Sequence, residues 1–342
     1  MIRGRAALLA ALLLVGAAPA SAETVSVTAR GETTPVGTAQ ADAADDPAIW
    51  RNPRDPARSL IVGTDKKAGL YVYGLDGQVR HFEAAGRLNN VDLVDTGRDG
   101  VIVVASDRND EARARLQVYR LDTRKGALLP LGAVEGGAGE AYGVCLWRTG
   151  GILYAYSVLK DGAVHQVRID LPRKAAPTGK IVRTLKLATQ TEGCVVDPRT
   201  ATLYVGEEAR GIWAFGAAAQ APANGKLAAQ VEGAHLVADT EGLAILPQGR
   251  RGGWLVASSQ GDNAYALYRL PGLTPAGRFR IAAGALGATQ ETDGIALAPG
   301  SFGRSYPQGL FVAQDGDNTP AAQNFKLVSW RDVLLALRRN KD

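Results

Sequence analysis

Three carboxylates stand close together in the stretch from Gln190 to Phe215. Glu192 comes just before a short apolar run, and the pair Glu207-Glu208 follows the next apolar run. In an antiparallel hairpin the start of one strand lies beside the end of the next strand. The hairpin therefore predicts that the three carboxylates meet on one rim, where they repel one another unless protons, basic groups or a metal ion intervene.

Further charged residues occupy equivalent rim positions elsewhere in the chain. The acids are Asp42, Asp45, Asp46, Asp239, Glu241 and Asp293, and the bases are Lys66, Lys67, Arg108 and Lys160. Carboxylates without a histidine or cysteine cluster suit hard cations such as Ca²⁺, and fixed cations suit phosphate groups. The combination predicts phosphoryl chemistry in which a metal activates the attacking water.

Motifs for other chemistries are missing from the sequence. There is no GxSxG elbow, and His81, His165 and His235 fall outside the rim positions, which disfavours covalent serine or histidine mechanisms. There is also no GxxxxGK[ST] loop for nucleotide phosphates.

The elements that must position these residues repeat along the chain. Taken as equivalent, Asp46, Asn90, Tyr142, Glu192, Glu241 and Asp293 are spaced 44 to 52 residues apart, and each precedes an apolar run. A second strand follows each run. Six such units predict an all-β, six-bladed β-propeller, with an open two-sheet assembly of hairpins as the alternative. The alternating segment Thr24–Thr28 is expected to complete the last blade and close the ring, and a short helix is predicted over Asp332–Arg338.

Residues 1–22 have two arginines, an apolar run and a small-residue A-x-A end, which predicts a cleaved secretory signal peptide. Residues 23–342 are then expected to form a single domain, exported to the periplasm or the extracellular space. The mild basic excess argues neither for nor against a nucleic-acid partner, and no segment after residue 22 is long or apolar enough to cross a membrane. We expect no nucleic-acid partner, no membrane association and a monomer. An oxidising compartment would permit a disulfide between Cys145 and Cys194, and geometry decides whether it forms.

Several long blocks, in order, resemble the β-propeller phytases, also called alkaline phytases, over about residues 24 to 330. The blocks are DDPAIW, TDKKAGL, NNVDLV, QTEGCVVD with GEEARGIW, ADTEGLAI with SSQGDNAYALY, TDGI, and FVAQDGDN with NFKLVSW. The resemblance implies a six-bladed propeller that needs several Ca²⁺ ions. It also implies a small-molecule substrate, myo-inositol hexakisphosphate (phytate), from which inorganic phosphate is released.

The resemblance further implies two neighbouring phosphate sites on the rim. In the cleavage site Asp46, Glu192, Glu208, Asp239 and Glu241 match acids that hold calcium, and Tyr142 matches a contact to the phosphate. We add Glu207 to the expected metal ligands because it pairs with Glu208 in the hairpin. In the second site, which holds a phosphate without cutting it, Lys66, Lys67, Arg108 and Lys160 match basic positions and Asp293 matches a nearby acid.

Members of the family often carry a calcium-binding Asp-Gly pair shortly before TDGI. This chain has Gly287-Ala288 near that place, with Glu291 as the nearest acid that could replace it. The segment Asp315-Gly316-Asp317-Asn318 resembles part of a calcium loop without the spacing of an EF-hand. Two other readings of the rim are a metal-dependent lactonase or phosphodiesterase on the same fold, and a binding module without activity.

Overall fold

The computed structural model describes residues 23–39, 42–97 and 99–340. Four-stranded antiparallel sheets, joined in chain order, make up its first half. The first blade consists of β3 (Ala44–Trp50), β4 (Leu60–Asp65), β5 (Gly69–Gly74) and β6 (Val79–Ala84). The second consists of β7 (Leu88–Asp95), β8 (Val101–Asp107), β9 (Arg113–Asp122) and β10 (Ala127–Ala138). The third consists of β11 (Ala141–Thr149), β12 (Ile152–Leu159), β13 (Ala163–Asp170) and β14 (Thr178–Lys186).

The second half repeats this pattern, and the first two strands of the chain join its last two sheets. The other three blades are β15 (Thr191–Asp197), β16 (Thr202–Glu207), β17 (Gly211–Gly216) and β18 (Lys226–Gln230); β19 (Thr240–Gln248), β20 (Gly252–Ser259), β21 (Ala264–Arg269), β22 (Thr274–Ala282) and β1 (Thr24–Thr28); and β23 (Ile295–Ala298), β24 (Leu310–Asp315), β25 (Asn324–Ser329) and β2 (Gly31–Glu32). The prediction of an all-β, six-bladed β-propeller is confirmed.

The second strand of each blade is buried on both faces, as β4 and β24 illustrate. Such strands lack polar alternation because the neighbouring blades cover both faces. Between the first two blades, for example, Val62 and Val72 pack with Val91, Val103 and Tyr119. Burial between blades thus links every sheet to the ring, and it fixes which strand ends face the axis.

The N-terminal segment closes the ring, but with a different strand from the one predicted. β2 pairs with β25 and supplies the outermost strand of the last blade. β1, at Thr24–Thr28, instead pairs in parallel with β22 and adds a fifth strand to the fifth blade. The alternating pattern correctly identified a strand, but alternation cannot tell which of two adjacent sheet edges the strand will join.

A helix, α1 (Trp330–Arg339), follows the last strand and extends the predicted Asp332–Arg338 by a few residues. Its buried face carries Trp330, Val333 and Leu337, which pack on the core between the fifth and sixth blades. Among the described residues, no helix combines the length and the apolar character needed to cross a membrane. The predicted signal peptide, residues 1–22, lies outside the described residues.

A disulfide joins Cys145 of β11 to Cys194 of β15, with their Cα atoms 5.7 Å apart. Both cysteines lie in the buried core between the third and fourth blades. The bridge closes a loop across 49 residues and ties two neighbouring inner strands together. Geometry thus answers the question that the sequence left open.

Replacing both cysteines, as Cys145→Ala with Cys194→Ala, should lower the melting temperature by roughly 10 °C. The loss of loop-closure constraint over such a span is worth about 4 kcal/mol. Differential scanning calorimetry measures the shift, and the unaltered protein under a reductant should approach the same value. Equal melting temperatures with and without the bridge would contradict this expectation.

Candidate active site

A β-bulge opens the inner strand of each of the first five blades. Pairing with the second strand is interrupted directly after Ala44, Leu88, Ala141, Thr191 and Thr240. A bulge inserts an extra residue and re-aims a side chain. The first residue in each bulge lies at one end of the ring axis; these residues are Asp45, Asn89, Tyr142, Glu192 and Glu241.

Small residues let these bulges approach one another. A Cβ atom built on Gly193 would lie 2.2 Å from the carbonyl oxygen of Glu241, and one built on Gly143 would lie 1.9 Å from that of Glu192. Only glycine fits such contacts without movement of the backbone. The glycine after the rim residue is therefore what allows neighbouring blades to bring their carboxylates together.

Three buried carboxylates form the centre of the site. Glu192, Glu208 and Glu241 each offer an oxygen within 4.8 Å of the others. Asp239 lies close enough to raise the pKa of Glu208 and of Glu241 by its charge, in addition to the effect of burial. The structure thus brings together four of the six predicted metal ligands.

Asp45 belongs to this group, whereas Asp46 does not. Asp45 is buried, and its charge helps to raise the pKa of Glu192, after burial itself. Asp46 instead lines the channel below the rim, where its Oδ2 accepts a hydrogen bond from the backbone N–H of Val91 at 3.0 Å. The structure thus places Asp45, one residue before the predicted Asp46, beside this cluster, because Asp46 occupies the position that Gly193 occupies in the fourth blade.

Glu207, which the sequence also predicts as a metal ligand, lies outside the cluster of Glu192, Glu208 and Glu241. Successive residues of a strand point to opposite faces, so Glu207 turns away from Glu208. Its Oε1 accepts hydrogen bonds from the backbone N–H and the hydroxyl of Thr189, each at 2.8 Å, and its Oε2 accepts one from Trp213 at 2.8 Å. These bonds fix the turn before β15 and give Glu207 a structural role.

Lys66 neutralises part of the acidic side. Its ammonium group lies 2.9 Å from Asp42, 2.9 Å from Asp45 and 3.0 Å from Asp293. Burial works against the charge of Lys66, yet these carboxylates raise its pKa well above the usual range. The predicted proximity of Asp293 to the basic group is confirmed for Lys66, which is already paired with three acids.

Arg108, Lys160 and Tyr142 lie together beside the carboxylate cluster. The guanidinium carbon of Arg108 is 5.5 Å from the centre of the Tyr142 ring, and the ammonium group of Lys160 is 5.4 Å from it. Arg108 also pairs with Glu140. Lys67 is exposed, and its ammonium group forms no ion pair within residues 23–39, 42–97 and 99–340.

Asn89, to which the sequence analysis assigns no role, connects the acidic and the basic groups. Its Nδ2 donates a hydrogen bond to Oε1 of Glu192 at 2.9 Å, and its Oδ1 accepts one from Nη1 of Arg108 at 2.5 Å. An amide can bridge a carboxylate and a guanidinium in this way because it is both donor and acceptor. The alignment of the blades could have identified Asn89 in the sequence. When Asn90 is aligned with Gly193, Asn89 takes the position of Glu192.

The rim encloses an open cavity of about 710 Å³, lined by Lys66, Tyr142, Glu208, Glu241 and Asp293 among others. Burial, followed by the charge of Asp45, raises the pKa of Asp293 to about 7. Burial and the neighbouring acids also raise the pKa values of Glu192 and Glu241 well above the usual range. The arrangement therefore concentrates carboxylates that are costly to ionise without a cation.

Two observations indicate that the carboxylates of this site suit a calcium ion. Oε1 of Glu208, Oε2 of Glu241 and Oδ1 of Asp45 are buried and find no hydrogen-bond partner among the described residues. Buried polar atoms are normally satisfied, so oxygens without a donor indicate a missing ligand. A set made only of oxygen ligands is the kind that Ca²⁺ prefers.

Gly287, near the place where family members often carry a calcium-binding aspartate, faces Lys326 and not the carboxylate cluster. A Cβ atom on Gly287 would lie 3.7 Å from the ammonium nitrogen of Lys326. Asp315 and Asn318, from the calcium-like loop, also contact that ammonium group, at 3.2 and 3.0 Å. Glu291 is exposed and lines the open cavity.

Comparisons with known proteins agree with this geometry. Residues 4–342 match the family model described as Phytase. The chain is 40% identical over 324 residues to the 3-phytase of Bacillus subtilis (strain 168), covering 90% of this chain and 84% of that protein. A solved structure from Thermus thermophilus, described as a putative oxidoreductase (glucose dehydrogenase), is 12% identical. It has a TM-score of 0.53 and covers 87% of this chain and 100% of that chain, so it shares only the fold.

The melting temperature of the metal-free protein should fall by several degrees as the pH rises from about 5 to 8. The pKa values of Asp293, Glu192 and Glu241 are raised in the folded state, so their contribution to stability is present at low pH. It is lost as these groups ionise. Calorimetry in a chelator measures the slope, and added Ca²⁺ should raise the melting temperature most at pH 8. A metal-free protein that becomes more stable over this pH range would contradict the assignment.

Proposed function

The chain belongs to the phytase family, and from that premise we propose that it hydrolyses phosphate monoesters of myo-inositol hexakisphosphate with the help of Ca²⁺. The observation that carries the proposal is the meeting of Glu192, Glu208 and Glu241, whose oxygens lie within 4.8 Å of one another. Arg108 and Lys160 lie nearby, over the ring of Tyr142. A site that holds metal and phosphate side by side suits hydrolysis of a phosphate ester. The rival lactonase activity would not use Arg108 and Lys160.

The acidic side would hold the metal. Glu192, Glu208 and Glu241 would supply converging carboxylate oxygens, and Asp45 and Asp239 would add theirs from close by. Calcium bound there would offset the charge of the substrate phosphate and activate the attacking water. The chain contributes fixed oxygens, which need little rearrangement because Asn89 and the strand bulges already orient them.

The basic side would hold a neighbouring phosphate of the same substrate. Arg108 is planar and offers its donors as a fork, which suits phosphate oxygens. Glu140 and Asn89 hold the fork in place, and the ring of Tyr142 supports it from one side. Lys160 lies over the same ring and is partly exposed, so it can reach a phosphate that enters the cavity.

Lys66 would act within the acidic side of the site. It is paired with Asp45 and Asp293, so its charge balances the acids before substrate arrives. Gln260 donates a hydrogen bond to Oδ1 of Asp293 at 2.6 Å and orients that carboxylate. Lys67 is exposed and suits a peripheral contact with a highly phosphorylated substrate.

We further infer that the protein is exported and acts as a monomer. The signal-like N-terminus supports export, and the Cys145–Cys194 disulfide fits an oxidising compartment. Detection of the mature protein in the periplasm or the medium, with residues 1–22 removed, tests export. Light scattering of the purified protein tests the monomer.

Phosphate release from inositol hexakisphosphate should require Ca²⁺ and should fall about 100-fold or more in Glu192→Gln, because the amide keeps the shape but loses the ligand charge. The matched control is Glu135→Gln, an exposed acid paired with Arg113, and it should retain full activity. Assays with and without a chelator measure the dependence. Equal rates without calcium, or in Glu192→Gln, would refute the assigned metal site.

Arg108→Gln should lower kcat/KM for the hexakisphosphate by about 10- to 100-fold, because hydrogen bonds to a charged phosphate are lost. Arg87→Gln, which removes an exposed arginine paired with Glu111, is the control and should have little effect. A substrate with one isolated phosphate should be much less sensitive to Arg108→Gln. Equal losses for both substrates would place Arg108 in the cleavage site instead of the neighbouring one.

A further inference from the structure

Lys326 is fully buried, and its ammonium group is surrounded by oxygens. The nitrogen lies 2.5 Å from a carboxylate oxygen of Glu32, 3.0 Å from the amide oxygen of Asn318 and 3.2 Å from a carboxylate oxygen of Asp315. We call these four residues the lysine cage. A lysine is seldom buried unless its charge is balanced. Here the carboxylates of Glu32 and Asp315 balance the charge, and the amide oxygen of Asn318 accepts a hydrogen bond.

The cage lies where the two ends of the ring meet. Glu32 belongs to β2 and is the cross-strand partner of Lys326 in β25. On either side of it, the backbone N–H of Arg30 donates to Leu327, and that of Thr33 donates to Phe325, each at 2.9 Å. The cage thus joins the N-terminal strand to the last blade through charge as well as through the backbone ladder.

Apart from the lysine, the cage has the oxygen set of a calcium site. Carboxylate and amide oxygens from separate segments are typical ligands of Ca²⁺, and the loop that provides Asp315 and Asn318 has a calcium-like sequence. Gly287 faces the ammonium group from the connection between the fifth and sixth blades. It adds no carboxylate there, which suits one positive charge better than two.

Lys326 affects the pKa values of the two carboxylates in the cage. Burial opposes the charge of Glu32, but hydrogen bonds from Lys326 and Asn324 lower its pKa below the usual value. Burial raises the pKa of Asp315, and the charge of Lys326 opposes that rise. Removing the ammonium group would therefore leave two carboxylates without their counter-charge.

We propose that Lys326 is a built-in cation that occupies a calcium-type oxygen site at the ring closure. Closure of the ring is therefore independent of calcium, whereas the site at the rim is not. The chain carries this cation covalently, so it cannot be removed by a chelator or exchanged for another ion. Calcium depletion should then empty the rim without releasing β2.

The test compares the unaltered protein with Lys326→Met and with Lys326→Met plus Gly287→Asp. In a chelator, Lys326→Met should lose about 5–10 °C in melting temperature, because buried charges lose their partner. Hydrogen–deuterium exchange of residues 30–36 should become faster in both variants in the chelator, and should not change in the unaltered protein. Calcium should restore the melting temperature and the slow exchange of residues 30–36, most fully in the variant with Gly287→Asp. The changes that calcium causes in the variants should be larger than those it causes in the unaltered protein.

Lys186→Met is the matched control, since Lys186 pairs with Asp161 at the surface, and it should change neither property. Unchanged exchange of residues 30–36 in Lys326→Met, or faster exchange in the unaltered protein under a chelator, would overturn the proposal. A loss of stability that calcium does not repair in either variant would also overturn it. If Lys326→Met cannot be purified, the triple variant that combines Lys326→Met with Glu32→Gln and Asp315→Asn replaces it. This variant should fold, and calcium should not change the exchange of its residues 30–36. A change in exchange there on adding calcium would contradict the cage.

Discussion

The close approach of neighbouring inner strands at the ring axis is the constraint on which this site depends. Each bulge turns one side chain toward the axis, and in the third and fourth blades the next residue is a glycine, Gly143 or Gly193, on which a Cβ atom would meet the neighbouring backbone. With backbones so close, side chains from different blades necessarily share one space. The same contact that packs the ring therefore forces Glu192 and Glu241 together, although folding alone would favour keeping them apart.

The chain offsets this repulsion only in part. Lys66 balances the charges of Asp45 and Asp293, and Asn89 donates one hydrogen bond to Glu192. Partners of this kind make the cluster tolerable without making it neutral, since carboxylate oxygens of Glu208 and Glu241 remain buried and, within the described chain, unpaired. A fully satisfied cluster would have little affinity for a cation. Incomplete compensation is thus a physical requirement for binding metal.

How much could be predicted from the sequence depended on what each pattern encodes. Repetition near fifty residues identified six blades, because each blade needs the same strands and turns. An alignment of acids selects Asp46 because it ignores the bulge, whereas the strand pairing that stops after Ala44 and after Thr191 aligns Asp45 with Glu192. Glu207 was included because two adjacent acids look equivalent in sequence, although a strand sends them to opposite faces.

Other features depend on contacts between distant segments, which local patterns do not record. The bridge from Asn89 to Glu192 spans 103 residues, and β1 and β2 join different blades although only two residues separate them. Lys326 stands in a strand pattern that would suit an apolar residue. The residues next to Lys326 in the sequence do not indicate that its partner is Glu32, some three hundred residues earlier.

The two sites of this propeller show two solutions to the same electrostatic problem. At the ring closure, a lysine on the chain itself faces Glu32 and Asp315, and its charge is always present. At the rim, Glu192, Glu208 and Glu241 have no lysine of comparable closeness among the described residues. A covalent cation suits a junction that must stay shut, because it cannot dissociate. An exchangeable cation suits a reaction centre, because a phosphate can bind to it directly.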